Sequence, residues 1–573
     1  MKHKKTISGL MILVSLALAG CDFGSVSSSA ASSSASDITT TTEGTSFSDD
    51  STSDVSSGPI DEFDPIVQAY VIGTPAGLEL MREHSDARFR LLNDLDMTGI
   101  SWVPIPLFTG EIRGFNHKIK NLTIEGEYSS AGFFDTINNV VISDLRFENV
   151  EMTVFQDTAP DADLTRTAGV LAGTQLMTFD PDTDTTTILT NIHVTGDVVI
   201  NMIDDGDSTL ETMAVVGGLV GTVEGGILVE QSSVKLSGGG ADLAGGIIGL
   251  AEGADNNVDI TDSFVLGEVF AAQTAGGLIG HAAMEFVGIR DSYNKANVTS
   301  FGGIAGGLIA SSNETNMAVF DSYNLGPVTF GMNSDGVTAV GGLIGFGYAG
   351  EYMAFANVYN KGNVSAPLSS NAGGFIGMLN FVGNLTFTKS YNSGTIVALN
   401  NVGGFVGHAD SVSVSLITVY NEGTLTVGDM SNGIGGMIGG FFGRFTDSEF
   451  QVAYAYNRAD ISTPTHSAGG FIGNATSSTM HVLFAVHVGD IAGPRFVGSL
   501  VGAIGHEDIT VQDSYYSAAI DDGQGGVPED LLISGTSVAR GNINDDFFIH
   551  DLNFLASDWV ISDTSATNMP TLQ

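Results

Sequence analysis

A five-residue glycine motif recurs through the middle of the chain and limits the possible folds more than any other feature. The motif has two glycines, two apolar residues and a closing glycine, as in Gly341–Gly345 (GGLIG), with single departures in Gly306–Ala310 (GGLIA) and Gly498–Gly502 (GSLVG). Its ten copies start at residues 217, 245, 276, 306, 341, 373, 403, 435, 469 and 498, so successive starts lie 28 to 35 residues apart. The eighth copy is Gly435–Gly439 (GGMIG). Such a steady period is typical of a stacked repeat in which each unit packs against its neighbours.

Each repeat contains three strand-like segments: the glycine motif, a segment that ends in Tyr-Asn, and a short β-branched segment such as Asn297-Val298-Thr299. Three strands in about 31 residues suit one coil of a parallel β-helix, whereas a propeller blade needs about 40 residues or more. Because parallel coils stack about 4.8 Å apart, residues at the same position should form rows along the axis. We expect an aliphatic core row of Ile279, Ile344, Ile376, Val406 and Ile472. We also expect an amide row at a turn, made of Asn294, Asn324, Asn360, Asn392, Asn421 and Asn457.

Several local features of the repeat leave more than one interpretation. Leu343 and Ile344 are adjacent, so in a regular strand they would point to opposite faces. Either a bend at the glycines turns both inward, which we favour, or one covers an outer groove. Glycine pairs permit a positive φ or a sharp bend. The tyrosines of the Tyr-Asn pairs could offer stacking platforms to sugars, although such rows usually stabilise the coil.

The charge balance excludes one class of function. The chain has 20 Lys and Arg against 65 Asp and Glu, a formal net charge of −45. Phosphate recognition needs clustered cations, so nucleic acid is not an expected partner. The acidic surface is best interpreted as an aid to solubility, since like charges suppress association.

The N-terminus has the features of an export signal. Three lysines precede the apolar run from Leu10 to Ala19, which is too short to span a bilayer as a helix. The run ends in Leu18-Ala19-Gly20-Cys21, which resembles the lipobox of bacterial lipoproteins. That resemblance implies cleavage before Cys21 and attachment of diacylglycerol to its thiol, hence a lipid anchor to the membrane and an extracytoplasmic location in the cell envelope. The alternative is an ordinary signal peptide with a chance cysteine.

Composition divides the remaining chain into segments. Residues 1–20 are the signal peptide, and residues 21–58 are a Ser/Thr/Asp-rich tether that cannot bury enough apolar surface to become ordered. Residues 59–165 should form an N-terminal cap and the first coils, residues 166–520 the repeats, and residues 521–573 a C-terminal cap. In the leader, Thr74-Pro75 fits the start of a short helix, and Phe89–Leu92 (FRLL) fits a strand.

The stretch Phe108–Ile124 (FTGEIRGFNHKIKNLTI) resembles a segment of a known protein group. It is similar to the opening of GLUG-motif bacterial surface proteins and to the N-terminal region of IgA-specific metalloproteases. The matching residues are Phe108, Gly110, Gly114, His117, Ile119, Asn121, Leu122 and Ile124, and the departures are Arg113, Phe115 and Asn116. Together with the glycine repeats, the resemblance implies a right-handed parallel β-helix, usually on a bacterial surface. We therefore expect an all-β chain of about ten coils with caps at both ends.

No residue set predicts catalysis, a cofactor or a metal. The HExxH motif of the metalloproteases is missing, and His506-Glu507 lacks the second histidine. His281, His408 and His506 each follow the final glycine of a repeat, a slot that also holds Thr222, Leu250, Phe346, Met378 and Asn474, so we interpret it as a tolerant turn position. The acidic pairs Asp204-Asp205, Asp521-Asp522 and Asp545-Asp546 lie in loops without nearby cations. Asp180, Asp182 and Asp184 alternate as in a calcium loop but lack its glycine and closing glutamate.

These observations favour a lipid-anchored surface protein that acts as an adhesin or binding scaffold rather than as an enzyme. Its partners would be the membrane, through the lipid on Cys21, and a host or environmental glycan or protein. Two alternatives stay open. One is a surface polysaccharide-active β-helix enzyme, a lyase or glycosidase, which would need clustered carboxylates in one groove. The other is a passive structural spacer.

Overall fold

The chain folds as an all-β parallel β-helix, as the repeat predicts. The computed structural model describes residues 60–155, 165–176, 186–203, 213–331, 338–428, 436–464, 467–494, 496–505, 508–516, 520–521, 536–537, 542–561, 564 and 569–573. The signal peptide, the tether and Cys21 lie outside these residues. Within them, strands of successive coils pair side by side in long parallel sheets. None of the described helices has the length and apolar character needed to cross a membrane.

The leader starts with an antiparallel pair of strands, Glu62–Asp64 and Ala69–Ile72. The predicted helix is a 3-10 turn, Pro75–Glu79, followed by the α-helical turn Leu80–Glu83. The Thr74 hydroxyl accepts a hydrogen bond from the Gly77 N–H (3.3 Å), which satisfies one donor at the helix start. The predicted strand is Arg88–Leu91, which pairs in parallel with Ala69–Ile72 and begins the stack.

The strands at one position of successive coils form a row, and four rows run along the helix. The first row has twelve strands: Ser130–Ala131, Thr165–Gly169, Met213–Gly217, Leu243–Gly245, Thr274–Gly276, Ile304–Gly306, Ala339–Gly341, Asn371–Gly373, Asn401–Gly403, Met437–Gly439, Ser467–Gly469 and Phe496–Gly498. The second row follows it in each coil: Phe134–Ile137, Ala172–Gln175, Val220–Val223, Ile248–Thr261, Ile279–Arg290, Ile309–Asn313, Ile344–Tyr348, Ile376–Asn380, Val406–Asp410, Phe442–Thr446, Ile472–Thr476 and Val501–Gly505.

The third row carries the coil to the Tyr-Asn pairs. Its strands are Ala69–Ile72, Arg88–Leu91, Glu111–Arg113, Val141–Ser143, Thr187–Thr190, Ile227–Glu230, the second halves of the two long strands above, Asn316–Phe320, Tyr352–Ala356, Asn384–Asn392, Ser413–Asn421, Glu449–Asn457, Thr479–His487 and Asp508–Gln512. The Tyr-Asn positions are separate strands at Tyr293–Asn294, Tyr323–Asn324, Tyr359–Asn360 and Tyr515–Tyr516.

The fourth row closes each coil. In the first coils the strands at the Tyr-Asn position and in this row are Leu95–Asp96, Lys118–Glu127, Arg146–Phe155, His193–Ile203, Ser233–Leu236 with Gly238–Gly240, and Phe264–Ala271. The later strands are Asn297–Ser300, Val328–Phe330, Val364–Ala366, Ile396–Ala398, Leu425–Val427, Ile461–Ser462, Ile491–Ala492 and Ile520–Asp521. The C-terminal segment adds Thr536–Ser537, a π-helical turn Phe547–Asp551, and an antiparallel pair Trp559–Val560 and Thr571–Leu572.

The glycine motif is the corner between the first and second rows. One strand ends at Gly341 and the next begins at Ile344, so the chain bends at Gly342-Leu343. Leu343 and Ile344 are both inside, at 0% and 1% exposed, which confirms the interpretation that a bend turns both residues inward.

The corner needs glycine because of close packing. Among the described glycines, a positive φ occurs at residues 99, 196, 239, 253 and 267, none of which belongs to the motif. A Cβ on Gly341 would lie 1.8 Å from the Ile344 carbonyl oxygen, and one on Gly342 would lie 2.0 Å from the Gly374 carbonyl oxygen. Of the two possibilities, a positive φ or a sharp bend, the structure therefore shows the bend.

Strand register corrects one copy of the motif and adds two coils. Gly403 pairs with Gly439, which pairs with Gly469, so the eighth corner is Gly439–Gly443 (GGFFG) and the assignment to Gly435–Gly439 is wrong. With this register the first glycine lies 17 residues before Tyr456, as in the neighbouring coils. Two further corners, at Gly132 and Gly169, lack the second glycine, so the sequence motif does not detect them.

The predicted rows are present. Ile279, Ile309, Ile344, Ile376, Val406, Phe442, Ile472 and Val501 pair in one continuous core row. The amide row also forms, because each asparagine from Asn294 to Asn421 donates Nδ2–H to the Oδ1 of the next, at 2.8 to 2.9 Å. The histidine slot is a true column, but Ala503 rather than His506 occupies its last position, because it is Ala503 that follows the corner glycine Gly502.

Candidate ligand-binding surface

The residues singled out for chemistry do not converge on one site. Cys21, the Asp180–Asp184 loop, Asp204-Asp205 and His506-Glu507 lie outside the described residues, as does Asp522. Asp545 is described, and its Oδ1 accepts a hydrogen bond from the Thr564 N–H (2.7 Å), which gives it a role in holding the loop. In the part of the chain that the structure describes, no group of three His, Cys, Asp or Glu side chains is arranged to hold a metal.

The tyrosines beside the amide row form a continuous stack. Ring centroids lie 4.5 to 5.1 Å apart from Phe264 through Tyr293, Tyr323, Tyr359, Tyr391 and Tyr420 to Tyr456, with interplanar angles of 12° or less. Each inner ring has both faces against its neighbours, so at most the ring edges reach solvent, and Tyr420 and Tyr456 are buried altogether. A sugar that stacks on an aromatic needs a ring face. The stack therefore favours the role of stabilising the coils.

The C-terminal segment packs along the side of this stack. Trp559 is buried against Phe554 (4.5 Å between ring centroids) and lies 5.9 Å from Tyr456. The Tyr456 hydroxyl donates to the Pro570 carbonyl (2.9 Å), and the Lys389 Nζ pairs with Asp558 Oδ1 (2.9 Å). Burial raises the pKa of Tyr456 well above its usual range, so the phenol stays protonated and can donate this bond.

A depression lies on the outer side of the fourth row, beside the strand Gly238–Gly240. It is lined by Glu268 and Phe270 of one coil and by Asn297, Thr299 and Phe301 of the next. Phe301 is 39% exposed, and its ring lies 6.4 Å from that of Phe270 at an angle of 80°. We call this feature the glycine-triplet depression.

The glycine triplet opens one side of the depression. The Ala272 N–H donates to the Ala241 carbonyl (2.8 Å), a register that places Gly240 beside Phe270 and Gly238 beside Glu268. A Cβ added to Gly238 or Gly240 would meet nothing within 4 Å. In a coil with ordinary side chains, both positions would stack against Phe270 and Glu268. Because Gly238 and Gly240 have no side chains, the side of Phe270 and Glu268 that faces the triplet is left uncovered.

The lining of the depression suits a small polar ligand with apolar edges. Two aromatic rings provide faces for C–H groups, while Glu268, Asn297 and Thr299 provide a carboxylate, an amide and a hydroxyl. Binding sites commonly combine aromatic walls with a few placed polar groups in this way. A sugar ring has the matching pattern of C–H faces and hydroxyl edges. The depression also has no cation, so a neutral sugar fits it better than an acidic one.

The pairing register of neighbouring coils, rather than a repeated sequence motif, brings the residues of this depression together. Sequence reasoning did not single out Phe270 or Phe301, because neither recurs along the repeat. The available signal was the run Gly238-Gly239-Gly240, a glycine triplet outside the corner positions.

The chain was compared with known families, sequences and structures. No family model matches the chain, and no curated protein sequence matches it. Among solved structures, the chain is similar to one described as a "putative immunoglobulin A1 protease" from Bacteroides ovatus. The two share 13% identity over 88% of this chain and 92% of that chain, with a TM-score of 0.17. A likeness at that TM-score carries no argument about function. The strand stacking by itself defines the class, a parallel β-helix protein, and the resemblance to GLUG-motif proteins stays a prediction.

Proposed function

We propose that the chain is a lipid-anchored bacterial cell-surface protein that acts as an adhesin or binding scaffold for carbohydrate. The observation that carries the proposal is the glycine-triplet depression, which pairs half-buried Phe270 and exposed Phe301 with polar groups on the outside of a rigid stack. Strands are better than loops at holding such groups in fixed positions. The protein would act by display and binding, without catalysis.

The N-terminal sequence supplies the rest of the proposal. Lipid on Cys21 would hold the chain in the cell envelope, on the extracytoplasmic side. A single acyl chain gives only marginal binding to a bilayer, and additional chains make anchoring stable. In detergent phase separation of whole-cell extracts, we expect the wild type in the detergent phase and Cys21→Ser in the aqueous phase. Recovery of the wild-type protein in the aqueous phase would contradict the lipid anchor on Cys21.

Binding is tested with the purified chain on an array of neutral oligosaccharides, run beside an assay for released reducing sugar. Phe270→Ala combined with Phe301→Ala should abolish array binding, because both stacking faces are lost. Phe381→Ala is the matched control, since it removes an exposed phenylalanine outside the depression. Sugar release would overturn the proposal in favour of the enzyme, and silence in both assays would favour the spacer.

A further inference from the structure

A second polar surface lies at the outer side of the corner between the first and second rows, far along the chain from the depression. The side chains of Met378, His408, Arg444 and Asn474 stack there in register, one per coil. Asn371 and Asn401 occupy the outward position of the facing first-row strands and are themselves paired. We call these six residues the Arg444 groove.

Contacts show that side chains of the two rows meet at this corner. Asn371 Nδ2 lies 3.5 Å from Met378 Sδ, seven residues later in the same coil. Asn401 and His408 have the same seven-residue separation in the next coil, and the two coils are in register at both positions. Asn401 Nδ2 donates to Asn371 Oδ1 (2.8 Å), which fixes the orientation of both amides.

The groove contains polar atoms that have lost water without gaining a protein partner. Asn401 is 5% exposed, and its Oδ1 has no hydrogen-bond partner. His408 Nε2 and Arg444 Nε are also buried and unpartnered. Each such atom costs free energy in a folded protein, and their concentration in one groove of neighbouring coils is what a ligand site predicts.

The charge in the groove is unusual for this chain. Among the described residues, no carboxylate forms an ion pair with Arg444, although the chain has 65 acidic residues. Asp410 is the nearest acid along the neighbouring strand, and its Oδ1 instead accepts the Ser411 hydroxyl (3.0 Å). Burial, helped by the nearby guanidinium of Arg444, lowers the pKa of His408 to about 4, so its ring is neutral at physiological pH.

We infer that the Arg444 groove binds a carboxylate-bearing sugar, such as a uronic or sialic acid residue, through Arg444 with Asn401 and His408. The guanidinium matches a carboxylate in two parallel hydrogen bonds. The unpartnered Asn401 Oδ1 accepts a sugar hydroxyl, and the neutral His408 ring donates or accepts another. One cation among neutral polar groups suits one carboxylate among hydroxyls, and the net charge of −45 disfavours a polyanion such as nucleic acid.

This inference deepens the proposed binding function and rests on it, but it concerns different residues, so the two can fail separately. The probes are 3′-sialyllactose and an oligogalacturonate, each measured by calorimetry beside a neutral counterpart, lactose and a galactan oligomer. The wild type should bind the acidic member of each pair more tightly. Arg444→Gln should weaken acidic binding by about 10- to 100-fold, the range of a charge-assisted hydrogen-bonded pair, and leave neutral binding unchanged.

Two further variants keep the test decisive. Arg444→Lys keeps the positive charge but lacks the paired N–H donors of the guanidinium. It should therefore show an intermediate loss of affinity for acidic sugars, a result that tests the groove even if Arg444→Gln unfolds. Arg290→Gln removes the same charge from an exposed position outside the groove and should leave the affinity for both acidic and neutral sugars unchanged. Equal affinity for acidic and neutral sugars, or unchanged acidic binding in Arg444→Gln, would overturn the groove assignment while the binding function stands. A glutamate peptide that outcompetes the sugars would overturn the sugar identity, and no binding of any sugar would overturn the proposed function itself.

Discussion

The amide row makes a sharp prediction for Asn360→Asp, a substitution that keeps the shape of the side chain and changes its hydrogens. Asn360 is fully buried, and its Nδ2 donates to the Gly362 carbonyl and to Asn392 Oδ1, both at 2.9 Å. Its Oδ1 accepts from Asn324 Nδ2, also at 2.9 Å. An ionised aspartate can accept but cannot donate, so it would place an oxygen against two other acceptors.

The magnitude follows from burial. Full burial raises a carboxyl pKa by about 3 to 5 units, and each unit corresponds to about 1.4 kcal/mol. From an unfolded pKa of about 3.9, the folded-state pKa becomes about 7 to 9. The variant should therefore lose about 4 kcal/mol at pH 7 from ionisation, and about 1 kcal/mol more because a protonated aspartate replaces only one of the two N–H donors.

The pH dependence has a definite sign. The folded state binds the proton more tightly than the unfolded state, so the ionisation penalty is absent below about pH 4 and grows by about 1.4 kcal/mol per pH unit up to pH 7. Urea unfolding of variant and wild type, compared at each pH from 4 to 8, measures this difference. Asn363→Asp is the matched control, because exposed Asn363 only accepts a bond, from the Thr395 N–H (3.1 Å). A penalty that is independent of pH, or no larger than that of the control, would refute the buried amide row.

Three further predictions follow from the packing of the coils. Gly342→Ala places a Cβ 2.0 Å from a backbone carbonyl and should cost about 1 to 3 kcal/mol in urea unfolding, whereas Gly226→Ala, whose Cβ would find its nearest atom 3.4 Å away, should be neutral or stabilising. Burial and the neighbouring carboxylates, chiefly Asp321, raise the pKa of Asp291, so Asp291→Asn should raise the thermal midpoint at pH 7 and lose that gain towards pH 4; a lowered midpoint at pH 7 would contradict the repulsion. Trp559→Ala removes a buried side chain worth about 3 to 5 kcal/mol, so limited proteolysis should cleave the C-terminal segment first, with the coils intact; unchanged cleavage would contradict the lateral packing.

The sequence alone was sufficient for the class of fold and for the core. In a parallel stack, the same position in each coil meets the same surroundings, so a residue such as Ile344 or Asn360 recurs at the coil period. The period of the glycine motif therefore predicts the stacking, the aliphatic row and the amide row before any coordinates are known. A repeated pattern therefore predicts only the residues and contacts that recur in every coil.

Tertiary structure decided the features that are not repeated. The glycine pattern predicts the eighth corner at Gly435 instead of Gly439 because two overlapping glycine runs fit it, and only strand pairing distinguishes them. The glycine-triplet depression depends on which side chains stand beside Gly240, and the Arg444 groove depends on two rows meeting across a corner. The tail contacts Tyr456 from 114 residues away in the chain. Each of these depends on proximity between coils, which the repeat period does not encode, so both proposed binding surfaces lie where the sequence departs from its own period.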